Sequence, residues 1–123
     1  STPTRVVEIG TQRFTKVLCM DGPGTSGACH EYRVVLSEPK PDDPKAVATI
    51  SFQNGPVKEN GIHGCHQEDL LAIVIDRLKH FQAGGFKCRE NALALTKIEE
   101  AMHWLNHRTA ARQNRGVEGT NVK

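Results

Sequence analysis

Two long helical patterns joined by a glycine pair constrain this chain more than anything else in it. The stretch from Gln67 to Gln82 (QEDLLAIVIDRLKHFQ) places Leu71, Val74, Ile75, Leu78 and Phe81 on one face. Glu68 and Asp69 in its first turn suit the positive end of the helix dipole. Ala83-Gly84-Gly85 stops it, because glycine readily leaves helical geometry. A second pattern begins at Cys88 or Arg89 and runs to Asn114, with Gly116 as its terminator. A short link between two helices of this length turns the second back along the first, as an antiparallel hairpin. Such a hairpin buries one face of each helix. A sheet, a second hairpin from a twin subunit, or both must cover what remains.

The residues before the hairpin have a different texture. Arg5 to Ile9 (RVVEI) and Arg13 to Met20 (RFTKVLCM) are β-branched and apolar runs separated at Gly10. Asp21 to Gly27 (DGPGTSG) reads as a turn, and Cys29 to Leu36 (CHEYRVVL) as a returning strand. Glu38 to Lys45 (EPKPDDPK) mixes three prolines with charge and reads as an exposed loop. Ala46 to Gln53 (AVATISFQ) sets Val47, Thr49 and Ser51 against Ala48, Ile50 and Phe52, the period of two of a half-buried strand. Asn54 to Gly64 (NGPVKENGIHG) is punctuated by glycine and is expected to form no regular element. The expected fold is α+β: a small antiparallel β-sheet in residues 1–64, then an antiparallel two-helix hairpin with a basic C-terminal tail in residues 65–123. At 123 residues the two parts are expected to form one compact domain.

Charge and composition exclude several classes. Sixteen Lys and Arg against 14 Asp and Glu give a formal net charge of +2, too little for a protein that coats nucleic acid. No apolar run approaches the roughly 20 residues of a membrane span. The opening STPTRVVEIG lacks the apolar core of a secretory leader, so a soluble cytoplasmic protein is the expectation. The four cysteines, Cys19, Cys29, Cys65 and Cys88, are widely spaced and are expected to be reduced thiols, mostly buried.

The second helix carries a stripe that changes chemistry. Ala94, Ile98, Ala101 and Leu105 recur at helical spacing, and the same line continues as Arg108 and Arg112, with Arg115 beyond. Two arginines four residues apart offer two planar donor forks to one anionic group. Basic residues near a helix C-terminus also complement its dipole without any ligand, and both readings stand. At the other end of the hairpin, Phe81 and Asn91 flank the bend. An aromatic face beside a carboxamide suits a purine, stacking its plane and reading its edge. From residue 91 to residue 110 the helix rises about 28 Å, so one small ligand cannot touch both ends of one hairpin. If these residues share a site, two subunits build it.

Metal and catalytic motifs are not expected. Cys29, His30, His63, Cys65, His66 and Cys88 are ligand types for zinc, but their spacings match no usual zinc knuckle. Neither a nucleophile elbow nor a phosphate-binding P-loop is present, and Glu99 and Glu100 read as solvated partners of Lys97 and His103. No catalytic residue, metal ligand or cofactor is assigned.

The segments FQNGPVKENGIHG, EDLLAIVIDRL, CRENALALTKIEEAMHWLNHRT and RGVEGT resemble the phage Thoeris anti-defence proteins of the first kind, whose hairpin is related to that of a phage anti-CBASS sponge. The resemblance covers roughly residues 51 to 120, and the run from Cys88 to Thr120 is its most specific part. It implies a non-catalytic sponge that binds cyclic ADP-ribose isomers made by TIR-domain enzymes and holds them intact in the cytoplasm of an infected bacterium. It implies a homodimer, or a hexamer built as a trimer of dimers, with the nucleotide at the dimer interface. It also implies, for some members, a separate site for cyclic di- or trinucleotides of CBASS defence. Matched to the family's motif, Phe81 and Asn91 hold the adenine side, and Arg108 and Arg112 the phosphate and ribose side. No membrane and no nucleic acid is expected as a partner. The competing readings are a phosphodiesterase-like enzyme that degrades such nucleotides and a phage nucleic-acid-binding accessory protein.

Overall fold

The computed structural model describes residues 2–10, 13–38, 46–116 and 119–120, and the chain divides into two compact units, residues 1–65 and 66–123. The first is an antiparallel four-stranded sheet in sequence order: β1 (Arg5–Val7), β2 (Thr15–Cys19), β3 (Glu31–Leu36) and β4 (Ala48–Ser51). Its register runs Val6 to Leu18, Leu18 to Arg33, and Arg33 to Thr49. All four strands fall inside the β-branched runs that announced them, shortened at their ends. In β4, Ile50 is half-buried while Thr49 and Ser51 face solvent, as the alternation requires, but Ala48, expected on the face of Ile50, is exposed. Residues 39–45, expected as an exposed loop, lie outside the described residues.

Side-chain clamps hold the sheet's connections. The Asp21 carboxylate accepts the backbone N–H of His30 at 3.0 Å and of Glu31 at 3.1 Å, drawing the β2–β3 loop onto the start of β3. The Glu31 N–H above all, then that of His30, holds this carboxyl below the usual aspartate range. Behind it Cys19 is fully buried. The other thiols depart from expectation: Cys29 and Cys65 are half-buried and Cys88 is exposed, and all four are free.

The glycine-punctuated connection also differs from expectation, since it holds one turn of helix, α1 (Val57–Asn60), opened by Pro56. Pro56 presets its own backbone for that turn. The connection then closes on β4 through a parallel bridge between Phe52 and Cys65. The Gln53 side chain donates to the Gly61 carbonyl at 2.7 Å and accepts from the His63 N–H at 3.0 Å, while His63 Nε2 accepts from the Asn54 N–H at 3.1 Å. Gly64 is required by contact, because a Cβ there would lie 2.6 Å from the Gln53 backbone nitrogen.

The second unit is the hairpin, α2 (Gln67–Ala83) packed on α3 (Arg89–Asn114). The Asp69 carboxylate accepts the His66 N–H at 2.9 Å, and Cys88 Sγ accepts the Asn91 N–H at 3.4 Å, so each helix start has a side-chain cap. Leu71, Ile75, Leu78 and Phe81 of α2 are half-buried, whereas Val74, expected among them, is exposed. An exposed ion pair, Lys79 with Glu99 at 3.9 Å, links the helices, and Glu100 pairs with Lys97 at 3.8 Å.

On α3 the inward stripe is not the expected one. Asn91, Leu95, Ile98, Met102, Leu105, Thr109 and Arg112 are sheltered, while Ala94, Ala101 and Arg108 are exposed. Ile98 and Leu105 fit either line. The helix turns so that Leu95 and Met102 face inward, because they remove far more apolar surface from water than Ala94 and Ala101 would.

Candidate functional site

At the bend, side chains of both helices and the link interlock. Asn91 Nδ2 donates to the Phe86 carbonyl at 3.4 Å, and the Phe86 ring meets Phe81 edge-on, with centroids 6.2 Å apart. Gln82 ends the first helix by accepting the Cys88 N–H at 3.1 Å. The Arg77 guanidinium also lies over Phe81, 4.9 Å from the ring centroid. Phe81 and Asn91 thus belong to one corner, joined through Phe86. An open groove of about 500 Å³ runs along α2 beside it, lined by Ile73, Asp76, Arg77, His80 and Phe81. The corner offers an aromatic face, a carboxamide and a cation, which are the recognition elements of a nucleobase with a nearby anion.

The far end of α3 holds the arginines in two different states. Arg112 is 8% exposed, and its Nη2 donates to the Thr120 carbonyl at 3.0 Å, among other contacts. Arg108 is exposed on the adjacent turn. The two forks that the sequence placed on one buried seam are therefore divided: one braces the chain's own tail, and the other faces outward. Trp104 is exposed one turn before Arg108, with the rings of His103 and His107 edge-on at 5.6 and 5.7 Å. From Asn91 to Arg108 is about 25 Å of continuous helix. One hairpin does not bring the bend and the arginines together.

Sequence reasoning passed over Arg77, Phe86 and Trp104. Arg77 had a usable signal, since it precedes Phe81 by the four residues that align side chains on a helix. Phe86 had none, because its place depends on how the five-residue link turns.

The hairpin also identifies the chain's relationships. The family described as "Acb2/Tad1, hairpin domain" matches residues 44–110, more than half of the sequence. The chain belongs to this Acb2/Tad1 hairpin family. The matched segment begins before β4 and takes in α1, α2 and most of α3. It includes Phe81, Asn91 and Arg108, and ends just short of Arg112. The protein named Thoeris anti-defense 1 from Bacillus phage SBSphiJ7 is 60% identical over 77 residues, covering 63% of this chain. The match spans about half, 54%, of that relative's own length. Among the described residues of this Acb2/Tad1 hairpin protein, no helix is long and apolar enough to cross a membrane.

Proposed function

We propose that this protein is a phage anti-defence sponge that binds cyclic ADP-ribose isomers and holds them uncleaved, which blocks Thoeris immunity in the infected cell. The observation that carries the reading is the family hairpin with complementary nucleotide-binding chemistry at its two ends. An aromatic and carboxamide corner sits at the bend, and arginines stand about 25 Å away. The name of the Bacillus phage relative supports the defence system involved.

Two copies build each pocket in this proposal. Phe81 of one chain stacks on the adenine and the Asn91 amide reads its edge. Arg108 of the other grips the phosphates from its exposed position, and Arg112, sheltered against the Thr120 carbonyl, reaches the ribose side by giving up that contact. The chain leaves large apolar side chains of the hairpin uncovered, Ile73, Leu93 and Trp104 among them, which supports assembly as a dimer or as a trimer of dimers. Sequestration requires tight, closed binding and no base or nucleophile, so the protein acts without catalysis. Cyclic di- and trinucleotides at a second site belong to the same proposal as additional cargo.

Native mass spectrometry with a panel of cyclic ADP-ribose isomers and cyclic di- and trinucleotides tests the reading directly, reporting subunit and ligand number together. Heating the complex and chromatographing the released ligand separates a sponge from an enzyme. Intact ligand supports the proposal, and a cleavage product overturns it in favour of a phosphodiesterase.

A further inference from the structure

The Asp21 clamp that folds the β2–β3 loop also collects metal-binding atoms. Cys19 Sγ, a carboxylate oxygen of Asp21 and Cys29 Sγ lie within 4.8 Å of one another. A zinc ion bound at about 2.0 Å to oxygen and about 2.3 Å to sulfur would hold such atoms roughly 3.5–3.8 Å apart, so the three need only close slightly. Cys19 is fully buried and sits at the end of β2, where its position is set by pairing with Tyr32. Its thiol donates to the Asp21 carbonyl at 3.2 Å.

A second observation points into the same place. The His30 side chain is 9% exposed, and its buried Nδ1 has no hydrogen-bond partner. That atom lies 3.9 Å from Asp21 Oδ2, beside the cluster that Cys19, Asp21 and Cys29 form. A sheltered imidazole nitrogen without a partner calls for an explanation, and a bound ion is one. Gly24 packs against this ring, since a Cβ there would stand 3.0 Å from His30 Cε1 and 3.5 Å from Nδ1.

We propose that Cys19, Asp21 and Cys29 bind a zinc-like divalent metal ion, which His30, held on the Asp21 side of the trio, joins as fourth ligand when its ring shifts toward the two sulfurs. Two thiolates, an imidazole and a carboxylate form a donor set suited to zinc and unsuited to magnesium or calcium. The surroundings fit the charge. Three anionic ligands around a divalent ion leave one excess negative charge, and the Arg5 guanidinium stands 3.9 Å from Cys29 Sγ to offset it. The backbone N–H groups of His30 and Glu31 orient the carboxylate from behind, as outer-shell donors do in metal sites. The site lies wholly in the sheet unit and is independent of the nucleotide-binding proposal. Its ion staples the β2–β3 loop to the end of β2.

The test uses the full chain, stripped with a chelator and titrated with Zn²⁺ and with Co²⁺. The expected result is one ion per chain and a thiolate-to-cobalt charge-transfer band. Cys29 becomes protected from alkylation while the exposed Cys88 stays reactive, with sites assigned by mass spectrometry. Cys29→Ser lowers Zn²⁺ affinity by at least about 100-fold, beyond the usual loss for an outer-shell change. Cys65→Ser and Cys88→Ser leave it unchanged. Failure to bind one ion per chain overturns the proposal, as does binding that leaves Cys29 reactive. The protection measurement is made on the unsubstituted protein, so the proposal can fail even where Cys29→Ser does not fold.

Discussion

The two units of this protein reach order by opposite means. The sheet unit closes its connections with side chains bonded to backbone: Asp21 across the β2–β3 loop, and Gln53 with His63 across the turn after β4. The hairpin relies on a seam of half-buried apolar residues between two helices, and the one buried residue of its described helices is Arg112, at 8% exposed. Its apolar surface is left bare at several places, with Trp104 66% and Ile73 64% exposed. Bare apolar side chains do not separate the two units, since the sheet unit leaves Ile9 83% and Phe14 73% exposed. What separates them is that polar clamps close the loops of one while an apolar seam joins the helices of the other.

The comparison can be broken most sharply at the hairpin's arginine end. Arg108→Ala is expected to weaken binding of a cyclic ADP-ribose isomer about 100-fold, the scale of losing charge-assisted hydrogen bonds, with unchanged helicity. Calorimetry showing unchanged affinity would remove Arg108 from the site. Phe81→Ala is expected to lose about 1–3 kcal/mol of the same affinity through lost stacking. Thermal unfolding should then separate function from seam. Met102→Ala is expected to cost the hairpin about 2 kcal/mol, whereas Ala101→Ser stays within about 0.5 kcal/mol. Equal effects would mean that the inward stripe has been misplaced.

In the sheet unit, Gly64→Ala is expected to destabilise by about 1–2 kcal/mol, since the added methyl meets the backbone of Phe52 and Gln53. Hydrogen exchange confined to residues around β4 would confirm that the effect is local. The smallest effect expected is a gain. Cys88→Ser replaces a weak sulfur cap on the Asn91 N–H with a strong hydroxyl cap and should stabilise the hairpin by about 0.5 kcal/mol in chemical denaturation.

Much of this architecture was readable in advance. The glycine pair after Ala83 marks the bend, and the helices run within a residue of where their patterns begin and end. The four strands follow their β-branched runs. Phe81 and Asn91 stand at the facing ends of the two helical patterns, and the structure joins them through Phe86. The arginines were harder, because Ile98 and Leu105 belong to two adjacent stripes and only the larger neighbours decide between them. Taking the alanine side predicted both guanidinium groups on the seam. The structure takes the Leu95 and Met102 side, which keeps Arg112 inward and turns Arg108 to solvent.

Local patterning therefore determined the kind and order of the four strands and the two hairpin helices, but not the single turn of α1. Periodicity and glycine punctuation act over a few residues and need no knowledge of what packs where. Tertiary structure decided which face of α3 is covered, because that depends on competing side-chain volumes across an interface. It also decided that Cys19, Asp21 and Cys29 meet, with His30 beside Asp21. They are separated by a loop and brought together by the pairing of β2 with β3 and the Asp21 clamp. Spacing along a chain cannot show such a cluster, since strand register and loop closure set the distance between its atoms.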